Sequence, residues 1–245
     1  MVQNITRRAY AATMTSEQQF MRMEAVFQGY FSHENQRIIA CIGRNYKAHA
    51  EELGNALPKE PLWFDKPMSS LLAPGAPFRM VPGLYDDIHH ELEMGVVIGM
   101  RGKDIKPENA MHHIAGYFVG LDMTNRKLQT QNKAHCADWT LAKGADGMAA
   151  VSEFVHKSAV PDLANVEIEL RINDQVRQKG NTSLMIFDIP TQIADLSKYM
   201  ELREGDIIFT GTPEGVGQVF AGDRMWCAIR NAGGDDLVTL SVDVV

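Results

Sequence analysis

Residues 37–245 read as one mixed, predominantly β domain. Short apolar segments with strand-type alternation, Gly and Pro recurring between them, and few stretches long enough for a sizeable helix predict it. RIIACIG (37–43) is an apolar run rich in isoleucine and predicts a strand, and NYKAHAEEL (45–53) predicts a short helix stopped by Gly54. Pro58, Pro61, Pro67, Pro74, Pro77 and Pro82 confine the next stretch to brief extended pieces, since each proline removes a backbone donor. Ile88 to Met100 is extended, Pro107 opens a helix to about His113, and Tyr117 to Asp122 is extended again. VEIELRIN and QVRQKG form a hairpin around Asn173 and Asp174, followed by a helix over Thr191 to Met200 with Ile193, Leu196 and Met200 along one side. In LVTLSVDVV, Val238, Leu240, Val242 and Val244 alternate with polar or small residues, the pattern of a strand with one buried face. No internal repeat, low-complexity linker or break in composition divides this region.

Residues 1–36 form an N-terminal extension. MVQNITRRAYAATMTS carries Arg7 and Arg8 with several hydroxyl residues and no acid, in a chain that is otherwise acid-rich. It is similar to a mitochondrial transit peptide, so a mitochondrial location is expected, the alternative being a frayed tail on a cytoplasmic protein. Thr15 or Ser16 can cap a following helix with Phe20, Met23 and Phe27 at helical spacing.

The 245 residues hold 31 acids against 24 Lys and Arg, a net charge of −7, which argues against a nucleic-acid partner, since phosphate binding draws on a basic balance. With 45% hydrophobic and 22% charged residues the chain can bury a large core. No apolar run approaches the roughly 20 residues that span a bilayer, so no membrane partner is expected. Cys41, Cys136 and Cys227 lack C-x-x-C spacing and form neither a disulfide framework nor a zinc site; Cys136 reads as packing rather than as a nucleophile.

The segment IHHELEMGVVIG carries the chemistry. At period two, His89, Glu91 and Glu93 share one face and His90, Leu92, Met94, Val96 and Ile98 the other. Carboxylates two apart on a strand stand about 6.5 Å from each other, close enough to converge on one cation. A solvated strand face is the competing reading of such a pair, and Asp122, an acid at the end of the next apolar run, weighs against it. Three hard oxygen donors without cysteine select Mg²⁺, Mn²⁺ or Ca²⁺ over zinc. The H-E-x-x-H zinc pattern fails at Met94, whereas an iron site built from His89, Glu91 and one of His112, His113 or His135 stays open. GTPEGVG (211–217) has neither P-loop nor dinucleotide spacing; it is a turn, or a loop whose N–H groups hold a carboxylate together with Thr212.

The motifs CIGRNY (41–46), F-x-K-P (64–67), HHELE (89–93), LDMT (121–124), WTLAK (139–143) and GDIIFTGTPEGVG (205–217), in this order, resemble the fumarylacetoacetate hydrolase family in its acylpyruvase and oxaloacetate decarboxylase branch. The resemblance spans 37–245 and implies an α+β fold, a mixed β-sheet roll, a homodimer, and one Mg²⁺ or Mn²⁺ per subunit on Glu91, Glu93 and Asp122. It further implies a His49–Glu52 pair on a short lid helix and an active-site Lys143. Arg126, Gln129 and Thr212 correspond to residues that contact substrate, and Arg44 is an anchor for a carboxylate. The implied reaction is metal-assisted cleavage of the C–C bond beside a 2-oxo acid. Acylpyruvates would be hydrolysed by water activated at His49, with Lys143 stabilising the oxyanion, and oxaloacetate would be decarboxylated; isomerases and tautomerases of 2-oxo acids are the alternative within the family. An iron oxygenase and a non-catalytic metal-binding protein are the alternatives outside it. With a divalent cation the three acids are near −1 before Lys143 and Arg126 are counted, so a site for a small anion sits on an acidic chain.

Overall fold

The computed structural model describes residues 37–245; the transit-peptide and helix expectations for residues 1–36 lie outside the described residues. The chain opens with β1 (Ile39–Gly43), α1 (Lys47–Glu52), β2 (Leu62–Lys66) and the two-residue β3 (Leu71–Leu72). α1 is short because its frame is broken at once: Gly54 follows with φ +65°, a backbone state that glycine adopts without strain. The central strands are β4 (Ile88–His90), β5 (Leu92–Ile98), β6 (Ile114–Asp122) and β7 (Thr124–Asn125), with a 3₁₀ turn at Pro107–His113 between β5 and β6. α2 (Arg126–Ala134), α3 (Thr140–Lys143), β8 (Ala149–Val151) and β9 (Val155–His156) come next. The hairpin β10 (Glu167–Ile172) and β11 (Gln175–Asn181) turns at Asn173 (φ 49°) and Asp174 (φ 64°), the left-handed pair that a two-residue hairpin turn requires. α4 (Ile189–Tyr199), β12 (Ile207–Phe209), β13 (Gly217–Gln218), β14 (Arg224–Arg230) and β15 (Asp236–Asp243) complete the fold.

An eight-stranded mixed sheet runs β2-β1-β12-β5-β6-β8-β3, with β9 also paired to β6. Its β1–β12 and β3–β8 pairs are parallel and the rest antiparallel. A four-stranded antiparallel sheet, β11-β10-β14-β15, and a small one, β13-β4-β7, accompany it. Met94, Val96 and Ile98 of β5 and Tyr117, Val119 and Leu121 of β6 bury one face of the large sheet in a core shared with Ile168, Leu170, Cys227, Ile229, Leu240 and Val242. Phe118, Phe209, Ile39, Cys41 and Ala149 form a smaller apolar cluster. The outcome is the mixed α+β architecture, mostly strands in a curled sheet, that the sequence predicts.

Two details differ from the sequence reading. The run from Ile88 to Met100 is not one strand: it breaks at Glu91, with β4 pairing in the small sheet and β5 in the large one. Glu91 and Glu93 are buried and His89 beside them is half-buried, so the solvated-face alternative does not hold for the two carboxylates. Cys136 is exposed at φ 53° rather than packed, because the chain reverses after α2. Among the described residues no helix is long and apolar enough to cross a membrane.

Candidate active site

The antiparallel register of β5 and β6 builds the acidic cluster. Leu92 pairs with Leu121 and Glu93 with Gly120, and Asp122 N–H donates to Glu91 O at 2.9 Å, which sets Asp122 opposite Glu91. Glu93, one alternation further along, pairs with Gly120 and stands on the same face as Glu91. One ligand oxygen from each of Glu91, Glu93 and Asp122 lies within 4.8 Å of the others, and all three residues are buried. This is the one such group of His, Cys, Asp or Glu among the described residues. His89 is instead 2.9 Å from Asp87, and His113 Nδ1 is 2.9 Å from Met100 O, so the iron site of two histidines and a carboxylate has no counterpart here.

Cations meet two of the three acids. Lys143 Nζ stands 2.7 Å from both Glu91 Oε2 and Asp122 Oδ2, and Arg126 pairs with Glu91 Oε1 while donating to Gln129 Oε1 at 2.6 Å. Lys66 Nζ lies 2.7 Å from Asp122 Oδ1, an ion contact without hydrogen-bond geometry, and donates to Met123 O, Met148 O and Lys143 O. Burial works against the charge on Glu91, but Lys143, Arg126 and His49 hold its carboxyl well below the usual range. Lys143 is likewise disfavoured by burial and pushed up overall by Asp122 and Glu91. Glu93 differs: burial, then Asp122 and Glu91, push it well above the usual range, and its local support is a 2.6 Å hydrogen bond from Gly211 N–H. A buried carboxylate beside two others, with no cation of its own in contact, in an all-oxygen donor set, fits a hard divalent ion.

The glycine-rich loop does hold carboxylates with its N–H groups, and they are the chain's own. Gly211 serves Glu93, and Gly215 N–H donates to Glu52 Oε1 and Oε2 at 3.1 and 3.2 Å. Gly211 sits at φ +102°, and a Cβ there would lie 2.6 Å from Asn45 Cβ. Asn45, fully buried, ties this loop to the first helix: its Nδ2 donates to Thr210 O at 2.8 Å and to Phe187 O at 3.0 Å, and its Oδ1 accepts from Phe187 N–H at 2.8 Å. Gly211→Ala is therefore expected to destabilise the fold by about 1–3 kcal/mol and to displace the loop from Glu93. Thermal melts with and without divalent cation check this; an unchanged melting point contradicts it.

His49 and Glu52 share a face of α1, as their spacing predicts, but His49 Nδ1 is 3.6 Å from Glu52 Oε2, beyond hydrogen-bond reach. Glu52 is turned to the Gly215 N–H, so it does not orient the imidazole here, and His49 Nδ1 is buried without a partner. Burial foremost lowers the His49 pKa from 6.5, against the pull of Glu91. A narrow cleft is lined by Arg44, His49, Glu91, Glu93, Arg126, Gln129, Lys143 and Thr212, the predicted site residues save Asp122 and Glu52. Phe64 and Trp139 form one wall as an edge-to-face pair at 5.5 Å, with Lys143 Nζ 5.0 Å from the Phe64 ring centroid. Lys66, Asn45 and Gln178 are polar, buried and tied to site residues, and sequence reasoning assigned them no role; their signal was a polar residue inside CIGRNY, F-x-K-P and an alternating strand.

The motif order has a counterpart among known proteins. The family model described as fumarylacetoacetate (FAA) hydrolase C-terminal matches residues 38–245. The mitochondrial oxaloacetate decarboxylase of Dictyostelium discoideum is 46% identical over 196 residues, 80% of this chain and 90% of that protein. The mitochondrial oxaloacetate tautomerase FAHD1 of Arabidopsis thaliana is 48% identical over 191 residues, 78% of this chain and 85% of that one. In three dimensions the fold is similar to fumarylpyruvate hydrolase from Pseudomonas aeruginosa in complex with Mn²⁺ and pyruvate, with a TM-score of 0.78 and 38% identity over 85% of this chain and 89% of that one. With matching residues running from β1 to the C-terminus and the acidic cluster at their centre, this chain belongs to the fumarylacetoacetate hydrolase family.

Proposed function

We propose that this protein is a Mg²⁺- or Mn²⁺-dependent enzyme of small 2-oxo acids that cleaves the C3–C4 bond, one carbon beyond the 2-oxo group, decarboxylating oxaloacetate or hydrolysing acylpyruvates to pyruvate. The observation that carries this reading is the buried Glu91–Glu93–Asp122 cluster, two of whose acids and Lys143 line the same cleft as His49. A divalent cation held by these carboxylates supplies Lewis acidity toward the oxygens of a 2-oxo acid. Three cations, Lys66, Lys143 and Arg126, already contact Glu91 and Asp122, so with a divalent ion these three cations and the three acids total +2, suited to a dianion such as oxaloacetate. Arg44 and the Thr212 hydroxyl anchor the substrate carboxylate, and Gln129 fixes Arg126 beside it. Lys143, kept charged, donates to oxygen that gains negative charge. His49, neutral because it is buried, takes a proton from water for acylpyruvate hydrolysis, or moves one at C3 of the bound acid.

That second use supports oxaloacetate keto–enol tautomerisation as the alternative at the same site, the activity named for the Arabidopsis relative. Relatives named mitochondrial support placing this protein in the same organelle, with residues 1–16 as its targeting segment, and we propose a homodimer as its assembly. Parallel assays of pyruvate release from oxaloacetate and acetylpyruvate, and of enol-oxaloacetate decay, test the proposal. Turnover with Mn²⁺ that EDTA abolishes is expected. Absence of turnover on all three substrates with Mn²⁺ present contradicts it.

A further inference from the structure

Gln178 is a buried polar side chain on β11, and it owes its direction to an irregularity in that strand. The β10–β11 register passes from Arg171 opposite Val176 to Leu170 opposite Gln178, so Arg177 is an extra residue; Val176 is 52% exposed while Gln178 is 1% exposed. Bulges of this kind commonly re-aim a side chain beside a functional site.

All four hydrogen-bonding positions of the Gln178 amide are used. Its Oε1 accepts from Leu92 N–H at 2.9 Å, and its Nε2 donates to Pro213 O at 2.9 Å. A backbone N–H can only donate and a backbone carbonyl can only accept, so these two contacts fix which end of the amide is oxygen and which is nitrogen. The same oxygen lies 2.8 Å from His90 Nδ1, which therefore donates to it. The second Nε2 proton goes to Thr212 Oγ1 at 2.8 Å.

Thr212 thus accepts from Gln178, and its own proton must point elsewhere. Thr212 lines the cleft with Glu91, Glu93, His49 and Arg44. We infer that Gln178 is a positioning residue: by donating to Thr212 Oγ1 it turns the Thr212 O–H into the cleft as a donor for the substrate carboxylate. The inference rests on the proposed contact between Thr212 and substrate. The same amide also contacts both residues flanking Glu91, through His90 Nδ1 and Leu92 N–H, and the loop that serves Glu93, through Pro213 O.

The test measures the dissociation constant of pyruvate from the full Mn²⁺-loaded protein, so it reads binding rather than turnover. Thr212→Val and Gln178→Met are each expected to weaken pyruvate about tenfold, the effect of one hydrogen bond to a charged group. The double variant is expected to be no weaker than Thr212→Val alone, since without the hydroxyl Gln178 has nothing to orient. Gln178→Glu keeps the two accepted bonds and loses both donated ones, to Thr212 and Pro213, so it covers the case in which the methionine variant does not fold, and the same loss is expected. Multiplying losses, about a hundredfold in the double variant, overturn the inference while leaving the Thr212 contact intact. Unchanged pyruvate binding in Thr212→Val overturns that contact and the inference with it. Failure of the reaction assignment would show separately, as absent turnover with normal pyruvate binding.

Discussion

Glu93→Gln is expected to lower activity about 10³-fold and to abolish tight divalent-cation binding, the several kcal/mol that a metal centre supplies. The amide oxygen can still accept from Gly211 N–H, which holds the carboxylate at 2.6 Å, so the glycine-rich loop keeps its place and charge is what changes. The metal-free proteins are expected to differ in the opposite sense. Burial together with Asp122 and Glu91 raises the Glu93 pKa in the folded chain from 4.5. A group whose folded pKa is raised adds stability at low pH and loses it as pH climbs through the folded pKa. In EDTA the wild type should therefore lose melting temperature as pH rises above about 4.5, and Glu93→Gln should lose less. Parallel pH slopes for the two proteins would mean that Glu93 shares a counter-charge the geometry does not reveal.

His49→Ala is expected to reduce kcat by about 10²–10⁴-fold, the range for a lost general base. The loss should be greater for acylpyruvate hydrolysis, which needs an activated water, than for loss of CO₂ from oxaloacetate. Since burial lowers the His49 pKa from 6.5, its neutral form predominates at neutral pH, and the acid limb of the wild-type kcat/KM profile, which reports the free protein, should fall below pH 6.5. That limb should vanish in the variant. An acid limb that persists in His49→Ala assigns the proton to another group.

The strands and the metal-type cluster were legible because they follow from period and chemistry. Alternation in β15, the Asn173–Asp174 turn and the Glu-x-Glu pair are local patterns, and Asp122 was found at a strand end because the apolar run stops there. The break at Glu91 was not legible, since it arises when β4 and β5 pair into different sheets, a choice made by distant strands. Cross-chain partners were equally hidden. Lys66 lies 57 residues from the Met123 carbonyl it binds and Gln178 lies 86 from Leu92, separations at which sequence spacing carries no signal. The turn of Glu52 away from His49 belongs to the same class: the i,i+3 spacing was sound, and the competing Gly215 N–H comes from 163 residues away.

Mn²⁺ titration followed by electron paramagnetic resonance tests the central claim most directly. The wild type should bind one Mn²⁺ per chain, with a spectrum that changes when pyruvate is added, and Glu93→Gln should leave the ion free at the same concentration. Mn²⁺ bound equally by both proteins, or a bound-ion spectrum indifferent to pyruvate, would contradict a cation held by Glu91, Glu93 and Asp122 that receives the 2-oxo acid.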